Sequence, residues 1–327
     1  MIIDKIKPFN DIYYRSCIYN SLFSVISYFN SSIIPYLAND VTSYGTISSQ
    51  YGPLFGCEYY SKKTIEQLLQ ENGIIHEIYD FNNEEKLWNK IMESISEGRI
   101  IIIWLDCYEI TFRSDVYHKM HTPHSWVIYG YEKDSKDVYI FEQSESEVLD
   151  YSPRKVSLEI LVYAHFMLKE IFGNMISDTM YVFSDSGEAY KESSVINEKE
   201  KYIKYFKENR EVIQGGLKNL TTFGTQLQCI VDKESILYDQ KEQLCFLLNQ
   251  LINDKKAELY KWTLMQDEKK VQLMKEIVHT WDKIRIPIFK YSLTEIYKSE
   301  KLNNIILHIN EIIDLETGYI DCILDNL

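Results

Sequence analysis

Near residue 190 the hydrophobic pattern of this chain changes character, and that change bounds what it can fold into. Upstream, strand-like and helix-like segments alternate. KKTIEQLLQENG reads as a short helix stopped by Gly73, IIHEIYDF as a strand, and NNEEKLWNKIMESISEG as a helix capped at Asn82 or Asn83 and ended at Gly98. RIIIIWLDCYEI follows as a buried strand, HSWVIYGYEKDSKDVYIFEQ as two strands about a polar turn, VSLEILVYAHFMLKEI as a helix and DTMYVFS as a closing strand. The polar, aromatic, glycine-bearing stretch DVTSYGTISSQYGPLFGCEYY reads as a loop over a cleft. SDSGEAYKESS, between Ser184 and Ser194, is a linker signal. Beyond it the apolar spacing is helical almost throughout, with Pro287 breaking the run. These patterns predict an α+β catalytic domain over residues 1–187 and an all-α helical domain over 188–327.

At 327 residues the chain is long enough for two cores. It has no run of about 18 apolar residues that would span a membrane, and its N-terminus lacks the apolar stretch of a secretory signal. The six cysteines lie far apart with no CxxC pair, which argues against a disulfide framework or zinc ribbon and for a cytoplasmic setting. A net charge of −14 argues against nucleic acid as a partner. Residues 1–190 hold 15 basic and 27 acidic side chains, whereas 191–327 hold 20 and 22. An acidic first half serves solubility, or concentrates a cationic small molecule such as an amine.

Cys17 stands at the start of an amphipathic helix in which Ile18, Leu22, Val25, Ile26 and Phe29 recur at helical spacing. With Ser16 as N-cap, the thiol falls in the first turn, where the partial positive charge of unpaired N–H groups favours thiolate. Far downstream, His124 opens a strand and is a suitable partner base. A carboxylate beside it would fix the imidazole tautomer and stabilise its protonated form. Glu142 on the partner strand is the first choice, with Gln143 as the alternative. Asp106, Tyr108, Tyr117 and His121 crowd the same segment. Asp106 reads as a counter-ion for an amine or as a strand-end carboxylate capping a turn. HTPH could also form half of a metal site with Asp106 or Cys107, or be two strand-end histidines; no metal is expected.

The cysteine at a helix start, the DCYEI segment closing a hydrophobic strand, and YHKMHTPHSWVIYGYE together resemble the N-terminal domain of the butirosin biosynthesis protein H family. This is a papain-like branch whose relatives include bacteriocin-processing peptidases. Residues 1–185 follow its order of elements, and the helical tail is similar around GGLKNLTTFGTQL.

The resemblance implies a papain-like cysteine protease fold, with the cysteine helix packed on an antiparallel sheet that carries the histidine. It also implies an acyltransferase of antibiotic or nonribosomal biosynthesis that moves an acyl group from a carrier-protein thioester to an amine. An enzyme of the closthioamide type, coupling a carrier-bound chain to a diamine, is one example. Carried over by position, Cys17 is the nucleophile, His124 the base and then acid, and Glu142 the third member, where the family more usually has aspartate. Papain-like enzymes place a glutamine before the cysteine for the oxyanion; here Asn10 holds that neighbourhood.

No cofactor is expected beyond the phosphopantetheine arm of an acyl or peptidyl carrier protein. Asp106, Tyr108, Tyr117 and His121 are candidates for binding a small amine acceptor. The tyrosine-rich stretch 44–60 reads as a dry lid or as ordinary aromatic packing. Lys201, Lys204 and Lys207, flanked by Lys199 and Arg210, form either a docking face for an acidic carrier or a solvated helix face. A cysteine peptidase would use the same residues, and a non-catalytic binding protein on this fold is a third reading.

Overall fold

The isoleucines at 100–103 are completely buried, and the strand they form runs through the interior of a six-stranded sheet. The structure is a computed structural model that describes residues 1–29, 31–49, 51–146, 148–173, 179–187 and 194–325. It divides into two units, neither a single continuous segment. One comprises Met1–Ile33 and Thr64–Glu192, the other Ile34–Lys63 and Ser193–Leu327. Residues 34–63 thus belong with the helical segment, whereas the sequence pattern grouped them with the catalytic one. Part of the expected linker, 188–193, lies outside the described residues.

The first unit contains helix α1 (Cys17–Tyr28), α3 (Ile65–Glu71), α4 (Glu84–Ser96) and α5 (Leu158–Phe172). Its strands are β3 (Ile74–Tyr79), β4 (Ile100–Asp106), β5 (Pro123–Glu132), β6 (Asp137–Glu142), β7 (Ser152–Ser157) and β8 (Met180–Asp185). Their order across the sheet is β3-β8-β4-β5-β6-β7, and every neighbouring pair is antiparallel. Asn83 caps α4 by accepting from the Lys86 N–H, while Thr64 and Gln67 close a capping box on α3. Gly73 and Gly98, at φ +68° and +74°, turn the chain out of α3 and α4.

Strand β7 was not legible in the sequence, because Pro153 argues against a strand interior. It is tolerated here because β7 is an edge strand. Gly130 has a different reason. A Cβ there would meet the Met1 carbonyl oxygen at 2.9 Å, since the N-terminal residues pair with β5 at this point.

The second unit contains α2 (Ile34–Leu37), a hairpin of β1 (Asp40–Ser49) and β2 (Gly52–Ser61), and helices α6 (Val195–Glu208), α7 (Arg210–Val231), α8 (Glu234–Leu264), α9 (Glu268–Thr294), α10 (Ser299–Asn303) and α11 (Ile305–Leu324). The hairpin replaces the loop expected over 40–60, and Tyr44 is buried among helices rather than poised as a lid. Gly216 on α7 lets β1 approach closely, for a Cβ would meet the Ser43 hydroxyl at 2.2 Å and the Tyr44 nitrogen at 2.8 Å. The Asn219 amide donates to the Tyr44 carbonyl at 2.9 Å.

Beside this seat lie two buried ion pairs, Lys255–Glu316 at 2.7 Å and Lys261–Glu258 at 2.8 Å. Tyr44, at 2.5 Å, donates to Glu316, and Tyr202, at 2.8 Å, to Glu258. Helix α9 runs through Pro287 instead of stopping there. Proline removes one helical hydrogen bond, but Ile284 and Ile288 on either side are fully buried and hold the helix in place. No described helix is long and apolar enough to cross a membrane.

Candidate active site

Cys17 is the first residue of α1 and is half-buried. Arg15, at φ +54°, adopts the left-handed conformation that turns the chain into the helix. Ser16 is extended at the N-cap position, but its side chain makes no capping hydrogen bond. One turn along the same helix face, the Ser21 hydroxyl meets that of Ser125 at 3.0 Å, fixing α1 on β5. This seating brings together two groups more than a hundred residues apart. Burial by itself raises the Cys17 thiol, but the charge and hydrogen bond of His124 outweigh it. Donation from the Ser125 side chain and backbone adds to the effect, and the thiol lies below its ordinary range.

His124 is 4 % exposed and Glu142 is 0 % exposed. The register explains their meeting. Val127 pairs with Phe141 and Ile128 with Ile140, so the adjoining residues His124, Trp126 and Glu142 share one face of the sheet. His124 Nε2 lies 3.1 Å from Glu142 Oε1. The ring N–H is not in line with that oxygen, so the contact is charge pairing rather than a well-formed hydrogen bond. Burial disfavours the imidazolium, yet the charges of Glu142 and Cys17 hold its proton up to about pH 10. Glu142 in turn is kept ionised against its burial chiefly by His124 and then by Arg113. Of the two alternatives for a third member, the structure pairs Glu142 with the ring; the Gln143 backbone N–H donates to Glu142 at 2.8 Å.

Arg113, Trp126 and Ser125 are parts of this site that sequence reasoning missed. The Trp126 indole N–H donates to Glu142 Oε2. Arg113, 1 % exposed, donates from Nη1 to Glu142 Oε1 at 3.2 Å. Its other edge holds Asp115 at 3.0 and 2.9 Å and the Ser146 hydroxyl at 2.7 Å. An arginine followed two residues later by an aspartate is too common on surfaces to have signalled this arrangement.

The other expected residues fall around this line. Asn10 does not stand free beside the thiol. Its amide donates to the Tyr151 carbonyl and accepts from the Tyr151 N–H, both at 2.8 Å. The Tyr151 ring thereby stacks parallel to His124, with centroids 6.2 Å apart and an interplanar angle of 8°.

Of the two readings of Asp106, amine counter-ion or turn cap, the structure shows the cap. It is 1 % exposed, accepts from the N–H groups of Tyr108 and Thr122, and pairs with His121 Nδ1 at 2.6 Å. Its lone pairs are thus taken by the chain itself. His121 stacks on Tyr108 at 4.2 Å, and Tyr117 on His118 at 4.1 Å. His121 and His124 therefore serve different carboxylates. Among the described residues, no group of three or more His, Cys, Asp or Glu could hold a metal ion.

Lys204 and Lys207 line an open groove of about 710 Å³ in the second unit, together with Lys199, Lys270 and three carboxylates. Lys201 pairs with Glu198 at 2.6 Å.

No curated protein matches the chain. Residues 41–143 match the protein-family model described as "Butirosin biosynthesis protein H, N-terminal". The matched stretch holds His124, Glu142 and Arg113, while Cys17, Asn10 and Tyr151 lie outside it. Over residues 41–143 the chain is thus similar to the butirosin biosynthesis protein H N-terminal family.

Proposed function

We propose that the protein is a cysteine-dependent acyltransferase of antibiotic biosynthesis with a papain-like catalytic unit. It takes an acyl group from a carrier-protein thioester and passes it to an amine. The family is named for a biosynthetic protein of the antibiotic butirosin, which supports an acyltransferase-like activity in that setting. The single observation that carries the reading is the buried line Cys17–His124–Glu142, whose charges favour a thiolate and an imidazolium together.

In this reading the Cys17 sulfur attacks the thioester carbonyl, and its bond to carbon forms as the carrier sulfur leaves with the proton of His124. Thioester exchange is close to thermoneutral, so the acyl-enzyme forms without cleavage of an amide. The amine then attacks the acyl-enzyme, His124 accepts its proton, and the Cys17 thiolate is released. With Nε2 held by Glu142, Nδ1 is the nitrogen left for the sulfur. Glu142 orients the ring and balances its charge. The backbone N–H groups at the start of α1 are oxyanion donors in this scheme, and Asn10 has one amide proton beyond the one given to Tyr151.

The stacked rings of Tyr117, Tyr108 and His121 form the acceptor side of the proposal, since π faces attract ammonium groups. Lys201, Lys204 and Lys207 are kept as the carrier-docking face, but local carboxylates offset much of their charge. The phosphopantetheine arm comes from the carrier, and no further cofactor is invoked.

The test is incubation with an acyl-carrier thioester and a panel of amines, followed by intact mass analysis. An acyl adduct on Cys17 that is lost in Cys17→Ser, together with amide product, is expected. Peptide hydrolysis without amide formation overturns the transfer reading in favour of a peptidase. Absence of any adduct overturns enzymatic function at Cys17.

A further inference from the structure

Tyr151 is 5 % exposed, and its hydroxyl is buried without a hydrogen-bond partner. A buried hydroxyl left unpaired is costly, because it gives up water without gaining a partner, so a chain that keeps one in place has a reason to be sought. The rest of this residue is fixed with care. Asn10 bonds its backbone on both sides, and its ring lies parallel to the His124 imidazole. Burial first, and the negative charge of Cys17 second, hold its phenol well above the ordinary range, so it remains a donor at every pH at which the site works. Asn10, which stands in the neighbourhood where papain-like enzymes keep a glutamine for the oxyanion, gives one amide proton and its carbonyl oxygen to positioning Tyr151.

We infer that the Tyr151 hydroxyl is a catalytic oxyanion donor, meeting the substrate carbonyl oxygen as charge develops on it during attack by Cys17. This rests on the reading of Cys17 as the acyl-accepting nucleophile. As the sulfur–carbon bond forms, the carbonyl π pair moves to oxygen and accepts the Tyr151 O–H. When the tetrahedral intermediate collapses, that pair re-forms the carbonyl and the carrier sulfur departs. The same donor serves the second attack, by the amine.

Tyr151→Phe removes the hydroxyl and keeps the ring stacked on His124. Two rates at Cys17 separate an oxyanion donor from a packing residue. One is acylation by the acetyl thioester of N-acetylcysteamine, which passes through an oxyanion. The other is alkylation by iodoacetamide, which does not. Acylation is expected to fall about 10²–10³-fold, with alkylation and its pH profile unchanged. Equal acylation in the two proteins overturns the inference. So does a parallel fall in both rates, which would assign Tyr151 to holding the thiol and imidazole. Failure of the unaltered protein to be acylated is a separate result, and it removes the proposed function together with this inference.

Discussion

Arg113 Nη1 lies 3.2 Å from Glu142 Oε1, while the other edge of the same guanidinium grips Asp115. From Cys17 through His124, Glu142 and Arg113 to Asp115, the charges alternate in sign along one path whose middle three members are buried and whose ends are half-buried. Each buried charge is thus offset by its neighbours, which is the condition for keeping ions in a dry environment. Arg113 Nη1 also donates to the Cys107 sulfur at 3.7 Å. In the proposed mechanism it acts through Glu142 and is a positioning residue.

Arg113→Met should therefore do two things. Leaving Glu142 short of a partner should destabilise the first unit by about 3–5 kcal/mol, measured by urea denaturation. Removing a positive charge from the line should also disfavour the thiolate, so the iodoacetamide pH profile of Cys17 moves to higher pH. Asp115→Asn should move that profile the other way. A loss of stability with both profiles unmoved would reduce Arg113 to a structural role.

Glu142→Gln keeps the size of the side chain and removes its charge. The imidazolium then loses its main counter-ion, so the His124 pKa should fall from about 10 toward its ordinary 6.5. Acyl transfer should drop by about 10²–10⁴-fold, the range expected when general acid–base catalysis is impaired. Titration of the His124 ring by NMR, alongside single-turnover acylation, checks both halves.

The pH dependence of stability offers a sharper test. His124 is raised in the folded state, so its contribution is complete below 6.5 and disappears as pH climbs to about 10. Cys17 is lowered, so its contribution is complete above 9.0 and disappears as pH falls through its folded value. Between 6.5 and 9.0 the fall of the His124 contribution with rising pH is opposed by the rise of the Cys17 contribution, so stability from this pair should change less across that interval than His124 alone would make it. In Cys17→Ala that opposition is gone, and stability should decline with rising pH there. Parallel urea curves for the two proteins would contradict the ion pair.

In the second unit, Glu316→Ala strands the Lys255 ammonium over the ring of Tyr44. Calorimetry should register a loss of about 3–5 kcal/mol. Replacing both partners, as in Lys255→Met with Glu316→Leu, should recover most of it. If the single variant unfolds no earlier than the unaltered protein, the pair is not buried as described.

Much of the fold followed from local pattern. Asn83, Gly73 and Gly98 mark helix ends because capping and left-handed turns depend on residue type alone. The strand pair about EKDSKD and the helix at Cys17 were legible for the same reason, their apolar residues recurring at fixed periods. Where packing overrode propensity, the pattern misled. Residues 40–61 look polar and glycine-rich, yet they pair as a hairpin against helices, and Gly45, Gly56 and Gly216 mark close approach rather than looseness. Pro287 looks like a stop and is carried through by its buried neighbours.

What the sequence alone determined was a set of chemically capable groups: a thiol at a helix start, a histidine at a strand start, and a glutamate at the right parity on the next strand. Those follow from periodicity, which is a property of the chain over a few residues. That Arg113 backs Glu142, that Asn10 secures Tyr151, and that Tyr151 is left with an unused hydroxyl were decided only in three dimensions. Each joins residues 29 to 141 positions apart, and no local energy term links such distant positions until the sheet and α1 close around them.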